Sequence, residues 1–177
     1  MKYLELLVRD HQLILRALEV MEEMIARVVV GKSVNPEDVK KVIRFLNVFE
    51  DEHHQTKEES ALFPILMRVA GNRCEKLRQM HFEHDQERSL AEGLEEAVNT
   101  KSGPDFVHFA GRLVELLRNH IRNEESLLLE TSLSVEDDDS VVAGFANFDR
   151  DFSRGKGAEA LHDLTLLEDR YLTGRSA

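Results

Sequence analysis

Tryptophan is missing from this chain, cysteine occurs once and proline three times. The lone thiol, Cys74, cannot close an internal disulfide, so no covalent staple is expected and a reducing cytoplasm is the natural compartment. Few prolines leave long helices free to run. Long apolar runs are missing too. No segment approaches the roughly 20 uninterrupted apolar residues that a membrane span needs. The first ten residues carry charges at Lys2, Glu5, Arg9 and Asp10, so they read as neither a span nor a signal peptide. Positive charge is also in deficit, with 23 Lys and Arg against 34 Asp and Glu, a formal net charge of −11. Such a surface repels phosphates, which excludes nucleic acid and anionic lipid as natural partners. No Gly-rich phosphate-binding loop and no separate catalytic base or nucleophile is visible. What the chain does have is 42% hydrophobic residues over 177 positions, enough for the core of an ordinary, mostly helical globular domain.

Breakers divide the chain. Residues 31–36 form a turn, with Asn35 as a helix N-cap and Pro36 at the first helical position. Gly71-Asn72 is a second turn and residues 100–104 a third. Between them the apolar periodicity predicts four helices, near 3–29, 36–70, 73–99 and 104–130, with Pro64 kinking or loosening the second. After Glu130 the composition shifts. Ser134 followed by Glu136, Asp137, Asp138 and Asp139 reads as a solvated helix start, and 158–171 as a last helix beyond a Gly155-Lys156-Gly157 loop. The predicted fold is all-α: an up-down-up-down four-helix bundle over residues 1–130, with residues 131–177 a helical extension packed on it.

The chemistry lies on the core stripes. His54 and Glu58 are four residues apart, as are His120 and Glu124, and that spacing puts each imidazole and carboxylate on one helix face. In the first helix the apolar seam through Leu4, Leu7, Ile14, Leu18 and Met21 is interrupted at His11. The third seam is interrupted at His84 and the fourth at His120. Each helix thus sets one histidine where a hydrophobe belongs. Taken alone, a seam histidine is usually a hydrogen-bonded core residue, and a single His-x-x-x-Glu is usually a solvated pair. Depth decides otherwise. His11 and His54 are each about 21 residues from the first turn, and His84 and His120 each about 18 from the third, so at ~1.5 Å per residue the candidates share one layer to within about a turn. Buried imidazoles and carboxylates at one level need a common partner, and two metal ions are the simplest. Imidazole and carboxylate donors suit iron, manganese or zinc. His53 leaves the helix about 100° from His54 and has Lys57 as its i+4 neighbour, which points to a supporting or surface role. His81 is expected beside the layer or in a pocket, His108 and His162 at the surface, and Glu59 and Glu125 off the ligand axis.

These motifs resemble the hemerythrin-like, or HHE cation-binding, family. The likeness rests on His54-Gln55-Thr56-Lys57-Glu58-Glu59-Ser60-Ala61-Leu62-Phe63-Pro64, on Asp10-His11, on Glu83-His84-Asp85 and on His120-Ile121-Arg122-Asn123-Glu124-Glu125, in that order, over about residues 1–130. The resemblance implies a four-helix bundle around two non-haem iron ions joined by an oxo or hydroxo bridge, with Zn or Mn as substitutes. Glu58 and Glu124 would bridge, and His11, His54, His84 and His120 would be terminal ligands. Gln55 stands where the family has a second histidine, and Ser126-Leu127-Leu128 replaces a Phe-Pro. Oxygen-carrying hemerythrins offer five histidines, so four leave the irons more open. The functional expectation is a di-iron protein that binds or senses O2 or NO. The alternative is an enzyme or iron donor acting in peroxide or NO stress and iron–sulfur repair, and a third reading is a structural metal staple. A protein partner for the extension is compatible with either of the first two.

Overall fold

The computed structural model describes residues 1–69, 74–131 and 133–173. The expected turn at Gly71-Asn72 lies outside them. The described residues are helical throughout apart from short connections, and none of their helices is long and apolar enough to cross a membrane.

Helix α1 (Lys2–Val29) ends at Gly31, whose φ of 75° lets Gly31 N–H and Lys32 N–H return to the carbonyls of Val28 and Arg27 at 3.0 and 2.8 Å. Helix α2 (Pro36–Phe45) starts as its sequence dictates. The Asn35 side chain accepts the Glu37 N–H at 3.0 Å, Pro36 occupies the first turn, and Glu37 and Asp38 face the positive end of the dipole. Helices α4 (Cys74–Asn99) and α5 (Gly103–Glu130) complete the bundle, the latter capped by Ser102. Helices α4 and α5 pack together, α1 lies on α5, and α2 contacts both α1 and α4.

The second helical segment of the bundle departs from the single α-helix expected over 36–70. Beyond α2 the winding widens into two π-helical stretches, π1 (Leu46–Gln55) and π2 (Glu58–Leu62), before α3 (Phe63–Val69). Pro64 contributes: it has no N–H to return to the preceding turn, and the π turn sits immediately before it. Such insertions cluster at functional sites. Here the wide turn brings His53, His54, Gln55, Lys57 and Glu58 all inside the molecule, where a strict α-helix would have turned some of them outward.

Helices α6 (Val135–Arg154) and α7 (Gly157–Tyr171) lie against this bundle. Helix α7 packs on α1 and α2, and α6 on α1, π1 and π2. The acidic start of α6 is not simply solvated. Met1 offers α1 no side-chain cap, and Asp138 accepts the Lys2 and Tyr3 N–H groups at 3.1 Å each instead. Gly144 lies over Ala61 of π2, where an added Cβ would come within 2.9 Å, so the missing side chain is what permits that approach.

The apolar core is divided in two. One cluster holds Ile14, Leu18, Phe45, Phe49, Leu113 and Leu117 with Leu164 and Leu167 of α7. The other holds Tyr3, Leu7, Leu62, Leu77, Met80 and Leu127 with Val141 and Phe145 of α6. On every helix of the bundle, the polar layer falls between the two.

Candidate metal centre

Six polar side chains fill that layer. His11, His54, Glu58, His84, His120 and Glu124 are all at most 3% exposed. His11, His54, Glu58 and Glu124 bring one donor atom each within 4.8 Å of one another, and Glu58, His84 and His120 do the same, so Glu58 belongs to both groups. The His11 and His54 rings stand 4.9 Å apart, and those of His84 and His120 4.8 Å apart.

Each imidazole is held from behind by a carboxylate on a neighbouring helix. His54 Nδ1 lies 3.4 Å from Asp10 on α1. His84 Nδ1 lies 2.7 Å from Glu59 on π2. His120 Nδ1 lies 2.8 Å from Glu83 on α4, and His11 Nδ1 lies 2.8 Å from Glu125 on α5. The four contacts close a ring around the bundle, from α1 to π1, π2 to α4, α4 to α5, and α5 back to α1. A carboxylate there accepts the Nδ1–H, which fixes the tautomer and leaves Nε2 bare and pointing inward. Each backing acid sits next in sequence to a member of the layer: Asp10 before His11, Glu59 after Glu58, Glu83 before His84, Glu125 after Glu124. The doublets are visible in the sequence, but the role of their acids is not. The available signal is an acid beside His11, Glu58, His84 and Glu124, directed at the next helix and not at its own neighbour.

The inward face is short of partners. His84 Nε2 and His120 Nε2 are 3.2 Å apart, two lone pairs facing each other once both Nδ1–H groups are engaged. His11 Nε2 is 3.0 Å from Glu124 Oε2 without hydrogen-bond alignment. Both oxygens of Glu58 and both of Glu124 lack a hydrogen-bond partner. Buried acceptors left this way cost roughly 1–3 kcal/mol each. In the metal-free chain protons are the available remedy. Burial, reinforced by the adjacent Glu124, holds the Glu58 carboxyl well above its ordinary range. Burial works against a charged His11 as well, but the adjoining Glu124 and Glu125 carboxylates outweigh it and raise the imidazolium to about 8. Burial would lift Glu124 too, yet the close contact with His11 and its charge hold it low. A cluster of nitrogen and oxygen lone pairs converging from four helices is the donor set for divalent cations.

The neighbours sort themselves around this layer. His53 is buried and not at the surface; its Nε2 is 3.3 Å from Asp149 of α6. Lys57 is also buried, paired with Asp10, 3.7 Å from Asp149 and 4.9 Å from the centroid of the Phe145 ring. The extension therefore reaches the back of His54 through Asp149, Lys57 and Asp10. His81 stays outside, its side chain 57% exposed and 3.5 Å from Glu59. A grouping of Glu59, His81 and His84 is geometrically close, but it would draw on the Glu59 oxygen already engaged with His84 and Arg88. His81 borders a 330 Å³ hollow with Phe63, Pro64, Met67 and Leu77, and Phe63 stacks on His84 at 5.7 Å. His108 and His162 are exposed.

A second polar cluster was not anticipated. Glu50, Gln55 and Glu87 are buried side by side, and Gln55 Nε2 donates to both carboxylates. Burial, opposed by the charge of His54, lifts the Glu50 carboxyl to about 7. Burial and Glu50 together push Glu87 well above the carboxylate range.

Compared with known proteins, residues 3–131 match the family model of the hemerythrin HHE cation binding domain. No curated protein and no solved structure matches the chain.

Proposed function

Because the chain belongs to the hemerythrin HHE cation-binding family, we propose that it is a two-metal protein whose resident pair is non-haem iron and whose ligand is a diatomic gas, O2 or NO. The observation that carries this is the inward face of the layer: His11 Nε2 and all four oxygens of Glu58 and Glu124 without hydrogen-bond partners, beside two imidazole nitrogens 3.2 Å apart. In this reading Glu58, which belongs to both donor groups, and Glu124 would be shared by the two metals. His11 and His54 serve one half, His84 and His120 the other. Residues 1–130 would be the metal-binding bundle, with α6 and α7 bracing it from the His54 side.

Iron supplies an open coordination position and a change of oxidation state, which diatomic ligands need. The protein's own residues do the rest. Asp10, Glu59, Glu83 and Glu125 hold the four rings in one tautomer and orientation. The two apolar clusters exclude water from above and below. The hollow bordered by Phe63, Met67 and Leu77, next to His84, offers a small uncharged ligand an apolar approach.

The test is metal content and optical spectrum of anaerobically reconstituted protein, before and after O2, NO or peroxide. Two irons per chain and a spectrum that reverses when the gas is removed support the reading. A firm stoichiometry of one or none defeats it. Continuous turnover of peroxide or NO moves the protein to the enzymatic alternative. Zinc retained as the sole native metal makes it a staple.

A further inference from the structure

We propose that Glu50 and Glu87, with Gln55 between them, form the inlet by which divalent cations reach the metal centre, an inference that rests on the two-metal reading. Between π1 and α4 lies a 300 Å³ cleft. Glu50 and Glu87 line it and are buried, while Glu52, Glu92 and Glu95 line it from exposed positions. The buried end adjoins the centre. Glu50 precedes His54 by four residues, Gln55 follows His54 directly, and Glu87 follows His84 by three, which places both carboxylates one helical turn from candidate ligands.

The buried end suits a positive charge in direct contact with its carboxylates. Among the described residues neither Glu50 nor Glu87 has a Lys, Arg or His ion-pair partner. Arg88, on the same cleft, is directed at Asp51, Asp85 and Glu59. Glu87 Oε1, on a side chain 2% exposed, has no hydrogen-bond partner, and Gln55 Oε1, on a side chain 1% exposed, has none either. Two buried carboxylates require a counter-charge. A proton meets part of the need. A divalent cation meets all of it, since rotation of the Gln55 amide would turn a third oxygen toward the pair. An all-oxygen set of this kind holds first-row cations more weakly than imidazole and carboxylate together, so a cation pausing there would pass inward. Another route toward the layer, the hollow beside His81, suits cations poorly: it is mostly apolar, it carries Arg78, and the Glu59 oxygen on it is already engaged by His84 and Arg88. The exposed glutamates supply the collecting field, and such clefts raise association rates by roughly 10- to 1000-fold.

The experiment follows cobalt(II) uptake by the metal-free full chain in a stopped-flow absorbance instrument, with the endpoint read as cobalt per chain. The variants are Glu50→Gln/Glu87→Gln and, leaving the buried pair intact, Glu52→Gln/Glu92→Gln/Glu95→Gln. The buried-pair variant is expected to load at least about tenfold more slowly but to reach the parent endpoint. The rim variant is expected to load more slowly at low salt and to lose most of the parent's salt dependence. Parent-like rates and salt dependence in both variants would overturn the inlet. So would an endpoint that falls together with the rate in the buried-pair variant, since the two residues would then belong to the centre itself. A parent endpoint other than two overturns the two-metal reading while the rates still judge the inlet; a parent that takes up no cobalt overturns both.

Discussion

Replacing Glu58 by Gln should make the metal-free protein more stable and the metal-loaded protein less stable. The cause lies in the centre's unpartnered atoms. Both Glu58 oxygens lack a hydrogen-bond partner, and the carboxyl is buried beside Glu124, which pushes its pKa well above the ordinary range. Without metal, this carboxyl is a cost. An amide of the same volume is neutral without taking up a proton and adds donors that can reach Glu124, which relieves about 1–2 kcal/mol. For a chain of 177 residues that raises Tm by roughly 2–8 °C. With metal the balance reverses. At a free metal concentration about 100 times Kd, each site stabilises the native state by about 2.7 kcal/mol, so two sites give about 5 kcal/mol and a rise of roughly 10–20 °C. A Glu58 shared by both metals cannot be lost without weakening both, so the variant should keep less than half of that rise. The assay is thermal unfolding followed by circular dichroism, in chelator and in excess ferrous or cobalt ion under anaerobic conditions. The two pairs of curves should cross: variant above parent without metal, parent above variant with it. A variant that melts well below the parent in chelator would make Glu58 a structural residue. An undiminished metal shift would remove it from the centre.

Further expectations follow from the same geometry. His54→Ala should strip at least one metal per chain, whereas His53→Ala, which loses a contact to Asp149 on the far side of the helix, should leave metal content near the parent value; equal losses by metal analysis would refute the register of π1. Glu83→Ala or Glu125→Ala removes the acceptor behind one imidazole and should weaken metal affinity by about 10- to 100-fold in competition with a chelator, with no loss of fold; unchanged affinity would refute the ring of backing carboxylates. Lys57→Met leaves the partly buried Asp10 without its cation and should cost about 3 kcal/mol, the low end for a broken buried pair because Asp10 keeps 16% exposure; denaturant titration showing less than about 1 kcal/mol would refute it. In the metal-free protein Glu50 titrates at about 7 when folded, against 4.5 for an unperturbed glutamate, so the folded chain binds more protons in that window and stability must fall as pH rises from about 4.5 through 7. Glu50→Gln should flatten that slope in chelator melts taken across the window, and an unchanged slope would locate it elsewhere.

Much of this molecule is written locally. Asn35 before Pro36, Ser102 before Pro104 and Ser134 before its acids start helices where the sequence says they start, because a cap needs only its own next three residues. The six layer residues were legible as well. Interruption of an apolar seam and distance from a turn are one-dimensional quantities, and antiparallel helices convert equal distances into equal depth. Three things were decided by tertiary structure. The first is the π winding of the second helix, which turns Gln55, Lys57 and His53 inward; an α-helical wheel cannot register a change in its own pitch. The second is the role of Asp10, Glu59, Glu83 and Glu125, each adjacent in sequence to one layer residue but bonded to the histidine of another helix, a relation that only packing creates. The third is the meaning of charge. The acids at 136–139 read as solvated, yet Asp138 caps α1 from 135 residues away, and nothing local marks Glu50 and Glu87 as charges that two helices close over. Helix starts and seam positions depend on near neighbours, so the sequence by itself determined them; desolvation and cross-helix pairing depend on what folds against what, and only the assembled bundle contains that information.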